Sequence, residues 1–275
     1  MKIKDLISTI ENLNIKEALE YLVKKAENKD KKTFVVTLNS EIIMLAREDS
    51  NYQNVLKSAD LALADGIGVI WAGKLFGKSF KGRVHGSDLT EKLSEAVSKQ
   101  PITVGFLGGR ANVAEITAER LRKKYSGLKV SFAVEEWSSD VRGPVSLHPR
   151  PTSSAASHPA GARRGPPALA TPQFINHQSS ITNHKMSADI LFVAFGSPKQ
   201  EKWIYENLPK LDVTVAIGVG GSFDFISGKV KRAPVFIRNL GLEWLFRLII
   251  QPWRVKRQIA LLEFVILVLK EKLGY

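Results

Sequence analysis

Asp65 stands in an Ala-Asp-Gly turn directly after the apolar run Leu61-Ala62-Leu63-Ala64. A carboxylate at the end of a buried strand is partly desolvated and can be aimed at a substrate hydroxyl, which is where a general base has to sit. An aspartate in that place serves equally well as a cap for the next helix or a brace for the turn at Gly66, and both uses stay open. Thr37 and Asn39 close a second apolar run and fall beside the same edge, as polar lining or as ordinary turn chemistry. Gly105-Phe106-Leu107-Gly108-Gly109-Arg110 has the make-up of a phosphate-binding turn, in which Gly108 and Gly109 let backbone N–H groups approach an anion and Arg110 adds charge. The complete dinucleotide pattern is missing, and Glu135 and Glu136 are the nearest acids to the end of the next strand, so a nucleotide-dependent oxidoreductase stands as the alternative enzyme class. Asp-X-Asp occurs nowhere in the chain. A departing diphosphate would then be met by arginines and helix N-termini rather than by a carboxylate-held metal, and neither a metal nor a cofactor is expected.

Those residues matter only if the fold brings them together. Leu6, Ile10, Leu13 and then Ala18, Leu19, Leu22 recur at helical spacing. Beyond them, β-rich runs at 33–38, 61–64, 102–107, 128–134, 189–195 and 213–219 alternate with helical stretches near 41–46, 67–76 and 111–125 and after Gly196-Ser197-Pro198. Such alternation predicts an α/β fold, a mainly parallel Rossmann-like sheet with flanking helices. Asn39, Asp65, Gly108-Gly109, Gly196 and Gly220-Gly221 all fall at or just past a strand's C-terminal end, the edge where open α/β sheets bind ligands. Five loops are therefore expected to share one site.

The 275 residues, 44% hydrophobic and 24% charged, are enough to bury a full core and exclude disorder as the global state. With no cysteine there is no disulfide framework, no thiolate zinc site and no cysteine nucleophile. The first residues hold no apolar run of signal-peptide length, so the chain reads as cytosolic. Of the formal charge of +13, residues 229–275 carry +7 and residues 138–187 carry +4, which leaves the body nearly neutral. Residues 138–187 also hold seven of the twelve prolines and four of the five histidines. That segment reads as a flexible insertion that cannot bury a core, and the spacing of His148, His158, His177 and His184 matches no metal-ligand motif. The expected organisation is a catalytic unit of residues 1–137 and 188–243, the insertion at 138–187, and an appendage at 244–275.

Taken in order, Thr37-Leu38-Asn39, Ala64-Asp65-Gly66, Gly82-Arg83-Val84-His85-Gly86-Ser87-Asp88, Gly105 to Gly109 and Gly196-Ser197-Pro198-Lys199-Gln200-Glu201 resemble the WecG/TagA/CpsF glycosyltransferase family. Gly218-Val219-Gly220-Gly221-Ser222-Phe223-Asp224 and Arg232-Ala233-Pro234 extend the match to roughly residues 1–135 and 188–275. The resemblance implies inverting transfer of an N-acetylmannosamine-type sugar from a UDP-sugar donor to N-acetylglucosamine on a polyprenyl diphosphate, in the synthesis of bacterial surface polymers. It implies Asp65 as the base, with Thr37, Asn39, Arg83 and Gln200 lining the sugar and phosphate pocket. It also implies work at the inner face of the cell membrane, and self-association into a homo-oligomer stays open. In place of the family's short connection between the strands at 128–134 and 189–195, about fifty Pro/Ser/His-rich residues intervene.

The segment from Trp244 to Arg257 mixes tryptophans, aliphatics and cations without an acid, as interfacial segments do. Arg247, Arg254, Lys256 and Arg257 near an anionic membrane surface would contribute roughly 4 kcal/mol before screening. On an unbroken helix Arg247, Arg254 and Arg257 lie within about 80° of one another. The resemblance places them over the active site, facing the lipid diphosphate or the leaving UDP, whereas Pro252 predicts a kink or restart. The run from Ile259 to Leu269 is too short to span a bilayer. A basic module that binds membrane without catalysis is the non-enzyme alternative; nucleic acid is not expected, because the cations sit among aliphatics rather than on a stacking platform.

Overall fold

Six short apolar runs pair edge to edge as one parallel sheet. The computed structural model describes residues 2–136, 186–239, 241–252 and 255–274. Helices α1 (Ile3–Thr9) and α2 (Ile15–Asn28) lead into β1 (Thr33–Leu38), and α3 (Ser40–Glu48) and α4 (Ser50–Lys57) into β2 (Leu61–Ala64). Helices α5 (Ile67–Leu75) and α6 (Gly86–Val97) lead into β3 (Thr103–Gly108), and α7 (Val113–Lys124) into β4 (Lys129–Val134). Then come β5 (Ser187–Ala194), α8 (Lys199–Asn207), a 3₁₀ turn at Leu208–Lys210, β6 (Asp212–Gly218), α9 (Ser222–Ile226), α10 (Val235–Asn239), α11 (Glu243–Ile250) and α12 (Val255–Leu273). The sheet order is β2-β1-β6-β5-β3-β4, parallel throughout, so the predicted fold class holds.

Each strand except the edge strand β4, whose residues are exposed or half-buried, buries both faces, the reason these runs read as continuous apolar stretches. Phe34, Val36 and Leu38 of β1 join a core with α1, α3, α4, α5 and α8, while Val35 joins a second core with α2, α6, α7 and α9. Helices α3 and α8, which follow β1 and β5, lie on the first face. Helix α9, which follows β6 between those two strands, lies on the other. Chains leaving adjacent strands to opposite faces open a crevice at the strand ends, here above β6.

Residues 1–137 and 186–275 form one unit. The predicted insertion lies outside the described residues except for Met186 and Ser187, and Ser187 opens β5. The C-terminal segment follows the expectation set by Pro252 and adds a contact that the sequence did not suggest. Helix α11 ends at Ile250 and α12 begins only at Val255, so Pro252 breaks the helix: it has no N–H to give, and Gln251 before it has left helical geometry at φ −128°, ψ 72°. The unbroken helix that would align Arg247 with Arg254 and Arg257 does not form. In addition, α12 is more than an appendage, because Phe264 and Val268 are fully buried in the first core. Glu271 moreover accepts from the backbone N–H groups of Ile3 and Lys4, at 2.8 and 3.0 Å, at the start of α1.

Candidate active site

A cavity of about 290 Å³ opens at the C-terminal edge of the sheet. Its walls come from the ends of β1 (Thr37, Asn39), β2 (Asp65, Gly66), β5 (Gly196, Ser197) and β6 (Val219, Gly220), with residues 83–87 and α11 closing the sides. Four of the five expected loops thus converge. The fifth does not: Gly108 and Gly109 stand outside the wall. A Cβ on Gly108 would meet the Ala194 carbonyl carbon at 2.9 Å, with φ at +107°, and Gly109 N–H donates to Ala194 O at 3.3 Å. These glycines let the ends of β3 and β5 touch.

Asp65 is held by its backbone as well as its side chain. Its N–H donates to Leu38 O at 2.8 Å, tying the end of β2 to β1. The N-cap of α5 is Gly66, with no side-chain cap, so Asp65 does not cap that helix. The carboxylate instead lies 2.6 Å from His85, Oδ1 to Nδ1. His85 was legible only as one letter of a motif; a partnership twenty residues along the chain carries no local signal. The Asp65 charge holds the His85 imidazolium above its ordinary range, against burial.

Thr37 is buried and its hydroxyl donates to Gly218 O at 3.3 Å. Asn39 both lines the cavity and caps α3, its Oδ1 accepting from Ile42 N–H at 3.0 Å. Gln200, 1% exposed, is a clamp as much as a lining residue. Its Oε1 accepts from Gly196 N–H at 3.2 Å and Gly220 N–H at 2.9 Å, joining the loops after β5 and β6, while Nε2 donates to Glu201 Oε1 at 2.7 Å. Glu201 was not singled out in the sequence. Burial pushes its carboxyl up, against bonds from Gln200, Ser197 and Tyr52, the last at 3.0 Å.

Positive charge is gathered at the rim. Arg83 lines the cavity and donates from Nη2 to Arg238 O at 2.7 Å, which binds it to α10. Arg247 of α11 lines the cavity with its guanidinium 4.7 Å from the centre of the Phe225 ring. A Cβ on Gly221 would fall 2.9 Å from Arg247 Nη2, so the missing side chain is what admits the arginine. Helices α3, α5, α6 and α11 present their first residues to the cavity (Ser40, Ile67, Gly86 and Glu243), and their N-termini add partial positive charge. Arg254 lies outside the described residues, and Arg257 enters only as part of the α12 backbone. The site therefore brings together Thr37, Asn39, Asp65, Arg83, Gln200 and Arg247. Chemically, it offers a carboxylate oriented by His85 and the guanidinium groups of Arg83 and Arg247, with Glu41 and Glu243 also on the wall.

The chain is similar to known proteins over most of its length. The profile of the glycosyl transferase WecG/TagA/CpsF family matches residues 3–141 and 173–275, leaving 142–172 unmatched. An N-acetylglucosaminyldiphosphoundecaprenol N-acetyl-beta-D-mannosaminyltransferase of Bacillus spizizenii (strain ATCC 23059 / NRRL B-14472 / W23) is 33% identical over 245 residues, 89% of this chain and 82% of the relative. A protein of the same name from Bacillus subtilis (strain 168) is 29% identical over 263 residues, 95% and 88% of the two chains. The chain belongs to the WecG/TagA/CpsF family of glycosyl transferases.

Proposed function

We propose that the protein transfers N-acetylmannosamine from a UDP-linked donor to N-acetylglucosamine carried on a polyprenyl diphosphate, with Asp65 as general base. The observation that carries this reading is the Asp65 carboxylate, held by His85, in a cavity that also takes guanidinium groups from Arg83 and Arg247, within a chain related to two enzymes named for N-acetylmannosaminyl transfer to that acceptor. The acceptor oxygen attacks the anomeric carbon and its proton passes to Asp65. The bond to UDP breaks on the opposite face, and the leaving diphosphate takes the electron pair. Arg83, Arg247 and the helix N-termini stabilise the charge that develops, and Thr37, Asn39 and the Gln200 clamp shape the sugar pocket. Turnover of UDP-N-acetylmannosamine with a soluble lipid-diphosphate N-acetylglucosamine analogue tests the reading, and calorimetry should find binding of UDP and none of NAD.

Because the chain has no Asp-X-Asp and fixed cations line the cavity, turnover is expected to survive EDTA unchanged. Activity lost in EDTA and restored by Mg²⁺ or Mn²⁺ would place the leaving-group charge on a metal instead.

The acceptor's lipid puts the enzyme at a membrane surface, and peripheral attachment at the inner face is the reading the C-terminal segment supports. No helix among the described residues is long and apolar enough to cross a membrane. Exposed apolar side chains run along α11 and α12, with Ile249 at 73% and Leu262 at 63% exposure. The Ile249→Glu, Leu262→Glu double variant is expected to lower partitioning onto anionic vesicles at least about tenfold, since each buried aliphatic side chain is worth roughly 1.5–3 kcal/mol. Vesicle pelleting reads this, and an unchanged melting temperature would show that the fold is intact.

A further inference from the structure

Asp65 is one end of a chain of charged groups that reaches the C-terminal segment. Val84 N–H donates to Ala64 O at 2.8 Å, which lays residues 83–85 along the end of β2 and brings the His85 ring to Asp65. Both side chains are largely enclosed, 20% and 18% exposed. The second ring nitrogen, Nε2, is buried without a hydrogen-bond partner and lies 4.0 Å from Glu243 Oε2 at the start of α11. Glu243 in turn lies 3.6 Å from Arg232, whose Nη1 pairs with Asp88 at 2.7 Å; Arg238 of α10 stands 3.6 Å from the same Asp88.

The groups facing His85 are therefore Asp65 beyond β2, Glu243 on α11 and Asp88 on α6. Against them stand Arg83 in its own segment and the N-terminus of α6, with Arg232 and Arg238 behind the acids. A buried nitrogen left unpaired is costly. Here a small movement of α11 would satisfy it.

We infer that His85 is the positioning residue of the base, a role that rests on the reading of Asp65 given above. Nδ1–H fixes Oδ1 of Asp65 and leaves Oδ2 to the acceptor hydroxyl, while Nε2 joins this pair to Glu243 and hence to the α10–α11 segment that brings Arg247 into the same cavity. A carboxylate free to rotate spends little of its time aimed at the proton it must take, and misplacement of this kind is worth up to about a hundredfold in rate. His85 keeps its own protons throughout, and the acceptor proton goes to Asp65.

The decisive comparison is His85→Asn against His85→Gln, because the Asn amide nitrogen stands near Nδ1 and the Gln amide nitrogen near Nε2. His85→Asn should keep kcat within about threefold of the unaltered protein, whereas His85→Gln should lose roughly 10- to 100-fold, with KM for the UDP-sugar little changed in both. Titration of the His85 ring followed by NMR supplies a readout independent of turnover. Its inflection should lie above that of free histidine and fall in both Glu243→Gln and Asp65→Asn, because Asp65 first and Glu243 after it hold the cation. Equal rates for the Asn and Gln variants, or an inflection indifferent to both carboxylates, would overturn the role. Full turnover in Asp65→Asn would overturn the base assignment and the His85 role with it. Loss of turnover in Asp65→Asn with none in His85→Gln would overturn the His85 role alone.

Discussion

Asp65→Asn is expected to lower kcat by roughly two to four orders of magnitude, the usual contribution of a positioned general base. Binding of UDP should barely change. Asparagine keeps the shape of the side chain and can still accept from His85 Nδ1, so the arrangement at the end of β2 survives while the capacity to take a proton is lost. The Asp65 backbone bond to Leu38 O is also untouched, which argues against a collapse of the β1 and β2 ends. Rates measured at saturating donor and acceptor, with UDP affinity measured separately, distinguish the outcomes. Near-normal turnover would remove Asp65 from the chemistry, and a large loss of UDP affinity would make it a donor-site residue.

Phe264→Ala is expected to destabilise the protein by about 3–5 kcal/mol, the range for removing a fully buried aromatic side chain. Phe264 is 0% exposed within the first core, and a Cβ placed on Gly68 of α5 would stand 3.6 Å from its ring, so α5 packs directly against it. Leu262 of the same helix, largely exposed, should tolerate alanine within about 0.5 kcal/mol. Urea unfolding of the two variants tests whether α12 is core or appendage: equal, small effects would make it an appendage. The same packing makes deletion of 244–275 a poor probe of membrane attachment. It would strip Phe264 and Val268 from the first core and Glu271 from the start of α1, and so would report unfolding as well as detachment. Surface substitutions at Ile249 and Leu262 avoid that confusion.

What the sequence determined by itself was the set of elements and the edge at which they act. Strand runs at 33–38 and 61–64 coincide with β1 and β2, and those at 102–107, 128–134, 189–195 and 213–219 lie within two residues of β3 to β6 at every boundary. Strand periodicity and turn residues are local properties, readable without knowing which strand lies beside which. The placement of Thr37, Asn39 and Asp65 at strand ends was legible for the same reason, and parallel pairing then gathers those ends on one side of the sheet. Tertiary structure decided the partners. His85 meets Asp65, Gln200 joins the loops at Gly196 and Gly220, and Gly108 and Gly109 bring the ends of β3 and β5 into contact. Helix α12 shows why such outcomes are hidden. Ile259, Leu262, Ile266, Leu269 and Leu273 make one apolar stripe and Phe264 and Val268 another, and both have helical spacing. Only the position of α1, α3 and α5 settles that the second stripe is buried, because the free energy of burial depends on what lies opposite and the helix's own sequence does not record it.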